Sequence, residues 1–219
     1  KTDLKMIWHC DGNLSEMVPR LLDVGIHGFQ GFQYEDGMDY EKICSMKTRD
    51  GDDLIIIGGG AAGFMAGVTA GEHGLRTVIL ESRPKPGRKL LMCGNNRCNL
   101  TFNRSAREML ADYGDPVGPF LETAINAFPP AALRDWFRRN GLPTKVQRDG
   151  RVYPETEKAA DVHHLFTDLL AGYGVGLMIN SPVTEIVPHK SGEWIVRTDI
   201  VELPARRALI ATGGVSYPK

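Results

Sequence analysis

The strongest hydrophobic signal in the chain is the uninterrupted run Leu54-Ile55-Ile56-Ile57. Consecutive apolar side chains leave no face for water, so the run predicts a central parallel strand covered on both sides. Gly58 to Gly63 follows as a turn, Ala61 to His73 reads as an Ala-rich helix stopped by Gly74, and Arg76 to Glu81 is the next strand. Strand, glycine turn, helix and strand make one βαβ unit. The middle of the chain reads as mostly helical. There, Val162, Leu165, Phe166, Leu169 and Leu170 fall at i, i+3, i+4, i+7 and i+8, an apolar stripe along one helix face. Asp149-Gly150, between Lys145-Val146 and Arg151-Val152-Tyr153, predicts a hairpin. Val183 to Val187, Trp194 to Thr198 and Arg207 to Ala211 read as three strands of an antiparallel meander returning to the sheet.

The first fifty residues follow a different pattern. An apolar strand Leu4 to Trp8, a helix Leu14 to Val24 stopped by Gly25, and a strand Gly28 to Phe32 form a second small βαβ unit. A short helix Asp39 to Met46 leads to the charged join Arg49-Asp50-Gly51-Asp52-Asp53, which divides the chain into residues 1–52 and 53–219.

Composition narrows the class. With 42% hydrophobic and 24% charged residues the chain is expected to pack a core. A net charge of -1 gives no reason to expect nucleic acid or an anionic membrane as a partner. No run approaches the ~18 apolar residues of a membrane span. The first residues, which do not include an initiator Met, carry no signal-peptide core. Cys10, Cys44, Cys93 and Cys98 form no C-x-x-C pair, so reduced thiols in a cytoplasmic protein are expected. Oligomeric state leaves no mark in the sequence.

Gly58-Gly59-Gly60-Ala61-Ala62-Gly63 fits G-x-G-x-x-G between a buried strand and a helix, with Glu81 closing the following strand. Each part has a physical task in binding a dinucleotide. Gly58 permits the tight turn, Gly60 lets backbone approach a pyrophosphate, and Gly63 allows close helix–strand packing. The diphosphate rests on the helix N-terminus, and Glu81 accepts from ribose hydroxyls. A glycine turn without ligand is the plainer alternative, disfavoured by so many parts in register. The fingerprint alone leaves FAD and NAD open. The polar, Gly-punctuated stretch Pro86 to Thr101, just after the ribose-binding strand, favours a flavin, and Ala211-Thr212-Gly213-Gly214 ends the last strand toward the cofactor.

Four separated blocks, IIIGGGAAG, GRKLLMCGNNRCNLT, GRVYPETEKAADV and LIATGGVSYP, resemble the BaiN/YhiN-type flavoproteins, NAD(P)/FAD-dependent oxidoreductases. The resemblance implies an α/β, Rossmann-like FAD domain of the glutathione-reductase type, with the chain ending before an insert domain. It implies FAD held by Gly58, Gly60, Ala61, Ala62, Gly63, Glu81, Ser82, Arg88, Lys89, Gly94, Arg97, Cys98, Asn99, Val183, Ala211, Thr212 and Gly213. NAD(P)H is the implied donor and a small organic molecule, enone-like or steroid-like, the implied substrate. It nominates no catalytic acid. The family loop usually reads S-G-x-G-R-C-N-x-T-N, whereas this chain has Cys93, Asn96 and Phe102 at three of those positions. Asn96 is expected to keep the loop's left-handed backbone.

Single residues divide between plain and functional readings. Arg97 is read as an anion ligand, with an ion pair across the loop as the alternative. Cys98 is read as a buried structural thiol. His163-His164 point in different directions from one helix and are read as surface residues, not metal ligands. Trp194 is read as packing, and Glu185, Glu193, Arg206 and Arg207 as solvated strand edges.

Residues 1–52 resemble the uroporphyrinogen-decarboxylase-like and corrinoid methyltransferase superfamily, a TIM-barrel fold, on His9-Cys10-Asp11-Gly12-Asn13 and Gly37-Met38-Asp39. Asp11 stands where a zinc thiolate would be, so no zinc is expected. About 50 residues fall far short of the ~200 a barrel needs. A chimera is therefore expected, with decarboxylase or methyl-transfer chemistry, or an inactive fragment, as the alternatives to a flavoenzyme.

Overall fold

The computed structural model describes residues 7–9, 28–30, 53–189 and 193–214. β1 (Ile7–His9) and β2 (Gly28–Gln30) pair in parallel, with Ile7 opposite Gly28. The helices read at Leu14 to Val24 and Asp39 to Met46, the charged join as far as Asp52, and Cys10, Asp11 and Cys44 lie outside the described residues. One parallel strand pair shows no barrel.

Two compact units follow, residues 1–87 with 166–219, and residues 88–165. The first is built on the Ile run. β3 (Asp53–Ile57) lies inside a parallel sheet ordered β12-β3-β4-β8, with β4 at Arg76–Leu80, β8 at Gly176–Met178 and β12 at Arg207–Ile210. Alternation sends its side chains to two different cores. Ile55 and Ile57 join Leu80, Val196, Val201, Leu203 and Ala205 in one buried cluster. Ile56 and Ile79 face α1 (Ala61–Glu72) on the opposite side, where Phe64 and Val68 are fully buried. Phe64 also meets Phe166 of α6 (Ala159–Gly172) with ring centroids 5.7 Å apart. The α6 stripe read from the sequence is buried at Val162, Phe166 and Leu170.

Gly67 lets α1 sit this close. A Cβ there would stand 2.7 Å from the Leu170 side chain and 2.8 Å from that of Ile79.

The meander differs from the sequence reading. It consists of β9 (Val183–Pro188), β10 (Trp194–Thr198) and β11 (Glu202–Ala205), in the order β11-β10-β9. The strand at 207 is not its third member; it pairs in parallel with β3, Arg207 opposite Leu54. Pro204 hid β11, since proline reads as a strand breaker, yet on an edge strand its missing N–H costs nothing.

The second unit holds α2 (Arg88–Asn96), β5 (Thr101–Phe102), α3 (Ala106–Tyr113), α4 (Val117–Ala127), α5 (Pro130–Arg139), β6 (Thr144–Val146) and β7 (Arg151–Pro154). Its antiparallel sheet is ordered β5-β7-β6. The hairpin read at Asp149-Gly150 is present: Gly150, at φ 85, donates its N–H to the Gln147 carbonyl at 2.9 Å. Ser105 and Glu108 form a reciprocal capping box at the start of α3. Trp136 and Phe137 are buried on α5 with rings edge to face.

Candidate functional site

Backbone hydrogen bonds bring the carboxyl ends of the parallel strands to one level. The Ala211 N–H donates to the Ile57 carbonyl, Gly58 to Leu80, and Glu81 to Met178, each at 2.8 Å. Gly58, Glu81 and Ala211 therefore share the carboxyl edge of the sheet, where open α/β folds take ligands.

The turn at that edge depends on two glycines. Gly58 adopts φ +112, and a Cβ on it would lie 2.6 Å from the Ala211 carbonyl oxygen. Gly63 is tighter, because a Cβ would come within 1.9 Å of the Gly58 carbonyl oxygen. Gly60 lies between them under no such constraint. It is the N-cap of α1 at φ -92, no side chain caps the helix there, and nothing lies within 4 Å of where its Cβ would be. The first helical bond runs from the Phe64 N–H to the Gly60 carbonyl at 2.9 Å, and Ala61 and Ala62 are exposed. The result is a helix N-terminus whose early N–H groups open onto free space, with the positive end of the helix dipole behind them.

Glu81 stands beside this turn. Its Oε2 accepts from the Gly59 N–H at 2.9 Å, while Oε1 accepts from the Arg83 N–H at 2.9 Å and the Ser82 hydroxyl at 3.2 Å. An ionised carboxylate offers about four lone-pair sites, so three donors leave room for one more. A carboxylate with spare capacity, next to an uncapped helix start over open space, fits an adenosine diphosphate: sugar hydroxyl to Glu81, phosphates to α1.

Within this unit the structure gathers Gly58, Gly60, Ala61, Ala62, Gly63, Glu81, Ser82 and Ala211. Thr212 and Gly213 continue, exposed, from the end of β12. Val183 begins β9 and packs against the apolar cluster, two residues after Ser181, whose N–H donates to the Glu81 carbonyl at 2.8 Å. Gly59 was missed. The motif leaves its second position variable, yet here the Gly59 N–H ties the turn to Glu81 and its carbonyl accepts from Gly87 at 2.7 Å.

The second unit holds the remaining candidates. Arg88 and Lys89 are exposed at the start of α2. That helix breaks at Cys93, and Gly94, Asn95 and Asn96 follow at φ 59, 58 and 62, the left-handed backbone expected for Asn96. The Arg97 guanidinium lies 4.4 Å from the centroid of the Tyr153 ring, bonds the Gly94 carbonyl at 3.2 Å and pairs with Glu157 at 3.5 Å. The ion-pair alternative is thus what this loop displays. Tyr153 and Glu157 were missed as its partners, although both lie inside the block GRVYPETE. Cys98 is buried, and its thiol is pushed up to about 12, first by burial and then by the neighbouring Cys93. Asn99 carries a buried Oδ1 with no hydrogen-bond partner among the described residues, an acceptor that a ligand donor could satisfy.

Among the described residues no group of three or more His, Cys, Asp or Glu could hold a metal ion, and no helix is long and apolar enough to cross a membrane. Trp194, read as packing, is 41% exposed at the start of β10 and buries the rest of its surface.

The family profile of the HI0933-like protein Rossmann domain matches residues 52–219. A 3-dehydro-bile acid delta(4,6)-reductase of Clostridium scindens is 33% identical over 162 residues, covering 73% of this chain and 38% of that protein. A ribosomal RNA dihydrouridine synthase of Escherichia coli is 27% identical over 169 residues, covering 76% of this chain and 40% of that protein. The chain thus spans about two-fifths of the length of these curated relatives. Among solved structures, a 3-ketosteroid-delta4-(5alpha)-dehydrogenase of Rhodococcus jostii superposes with a TM-score of 0.55 at 17% identity, covering 77% of this chain and 47% of that one. This likeness shows the fold. The match begins at residue 52, and nothing supports the decarboxylase-like reading of the residues before it.

Proposed function

Because the chain belongs to the HI0933-like Rossmann-domain family of FAD-binding oxidoreductases, we propose that its glycine turn and Glu81 hold the adenosine diphosphate half of FAD, in a protein that reduces a small organic substrate with NAD(P)H. When bound, FAD supplies the hydride-accepting and hydride-donating chemistry. The chain's own residues bind and orient. The bare Cα of Gly60 lets the turn approach the pyrophosphate, the N–H groups at the start of α1 face its charge, and Glu81 takes a ribose hydroxyl on its remaining lone pair. One observation carries the reading: the Gly59–Glu81 hydrogen bond beside the open space over Gly60, which joins a sugar-binding carboxylate to a phosphate-binding turn. Thr212 and Gly213 extend the same edge. Arg88, Lys89, Gly94, Arg97, Cys98 and Asn99 remain proposed flavin-side contacts, supported by the orphan oxygen of Asn99. A cytoplasmic location stays part of the proposal and rests on the cysteine pattern of the sequence, which contains no C-x-x-C pair.

Gly60→Ala tests this directly. Its methyl group meets no protein atom, so the fold should survive, while a pyrophosphate would meet it head on. FAD affinity, followed by flavin fluorescence quenching, should fall at least about tenfold, equivalent to ~1.4 kcal/mol. Unchanged affinity in a folded variant would refute the assignment.

The substrate reading rests on the 33% identical bile-acid reductase and on a net charge that supplies no excess of cations for RNA phosphates. The relative named a ribosomal RNA dihydrouridine synthase supplies the competing outcome. NAD(P)H oxidation by the full-length flavoprotein should follow addition of a steroidal enone. Dihydrouridine formed in RNA, with no turnover of the enone, would overturn the substrate while leaving the FAD site standing.

A further inference from the structure

The left-handed run Gly94-Asn95-Asn96 turns the chain back so that residue 98 meets residue 93. The Cys98 N–H donates to the Cys93 carbonyl at 2.9 Å. The bonds on either side of that hydrogen bond, with the ~120° bend at the carbonyl carbon, cap the separation of the two Cα atoms at about 6.8 Å, the upper edge of the window of about 4.4–6.8 Å that disulfides span. The Cys93 thiol donates to the carbonyl oxygen of Asn99, the residue next to Cys98, with Sγ 3.6 Å away. Both thiols are free, Cys93 half-buried and Cys98 buried.

We propose that Cys93 and Cys98 form a dithiol site that closes reversibly to an intramolecular disulfide when a hydroperoxide reaches it. Cys93, the more accessible sulfur, attacks first. The peroxide O–O bond breaks, an S–O bond forms, and the products are a sulfenic acid on Cys93 and an alcohol. The Cys98 sulfur then displaces that oxygen, its thiol proton leaving with the hydroxyl, so that the S–S bond forms and water is released. Two thiols lose two electrons and two protons, and the hydroperoxide ends as alcohol and water. The closed ring contains Gly94 to Arg97, so oxidation would lock the backbone that carries the Arg97 contacts to Tyr153 and Glu157. The pairing does not depend on the FAD reading.

Trypsin separates the two sulfurs, because it cuts after Lys89, Arg97 and Arg104 and leaves Cys93 and Cys98 on different peptides. The full chain is treated with hydrogen peroxide under native conditions, quenched in acid, unfolded, alkylated and digested. Mass spectrometry should show loss of both alkylated peptides and gain of peptide 90–97 linked to peptide 98–104, with dithiothreitol reversing the change. In Cys93→Ser the linked pair should vanish and Cys98 should return as its alkylated peptide. The proposal fails if Cys93 advances to sulfinic acid while Cys98 stays alkylatable, or if either sulfur links to Cys10 or Cys44 instead. Wild-type chain alone decides these outcomes should the variant not fold.

Discussion

Gly60 and Gly63 lie three positions apart and answer to different constraints. At Gly63 any side chain meets the Gly58 backbone at 1.9 Å, and backbone in a hydrogen-bonded sheet edge cannot step aside. Gly63→Ala should therefore lower stability by at least ~3 kcal/mol, the upper range of overpacking costs, or prevent folding; a denaturant midpoint close to wild type would refute the packing argument. Glu81 is constrained by what it must accept. Glu81→Ala removes a charged acceptor from two backbone N–H groups and from the proposed ribose contact, so FAD should bind about 10–100-fold more weakly in an equilibrium titration. Cys98 makes a pH prediction. Its thiol holds its proton to about 12 in the folded chain against an ordinary 9.0, so the unfolded chain releases that proton first. The stability it contributes is fully present below about 9 and is lost as pH rises toward about 12. The alkaline fall in the denaturant midpoint should be smaller in Cys98→Ala than in wild type. At this scale the sequence made the glycines and Glu81 legible, because their tasks follow from a motif in register. The Cys93–Cys98 approach was not legible, since it matches no cysteine spacing rule and exists only through the left-handed turn at Gly94 to Asn96.

Elements were legible where one face is fully buried and obscure where strands run at an edge. β3, α1 and β4 came straight from the Ile run, the glycine turn and the next apolar run, because burial on both sides leaves no competing pattern. β5, β6 and β7 are two to four residues long, too short to show alternation, and only the Asp-Gly turn exposed two of them. On β10, period two places Trp194, Val196 and Thr198 on one face. Val196 and Thr198 are buried, but Trp194 begins the strand outside the apolar cluster and stays in solvent. The two apolar residues should therefore respond differently to truncation. Val196→Ala should cost about 2–3 kcal/mol, from lost burial plus a cavity under the sheet, whereas Trp194→Ser, at a site open to solvent that leaves no closed cavity, should cost about 1 kcal/mol. Equal effects in urea denaturation would mean that the meander does not cover the sheet as described.

At the scale of the molecule, only the unit of residues 1–87 and 166–219 carries the glycine turn, so ligand stabilisation should enter there. A ligand that binds only the folded chain adds about 2.7 kcal/mol at a hundredfold excess over its Kd. For a chain of this size each kcal/mol moves the melting temperature by roughly 2–4 °C, which gives a rise of about 5–11 °C with FAD. At the same FAD concentration the rise should drop to about 3–6 °C or less in Gly60→Ala, since a tenfold loss of affinity leaves only about 1.4 kcal/mol. Hydrogen exchange locates the effect within the same experiment. In the proposed site, amides at the start of α1, at Gly59 and at Arg83 would face the diphosphate or bond the carboxylate that takes its sugar, so their exchange should slow on FAD addition. The core of the sheet, closed at Ile56 and Ile79, exchanges through global opening, so it should slow by the full binding free energy, about a hundredfold at the same excess of FAD. A thermal shift without slower exchange at the turn would mean that FAD binds away from the glycines, since a ligand cannot protect amides it neither covers nor orders.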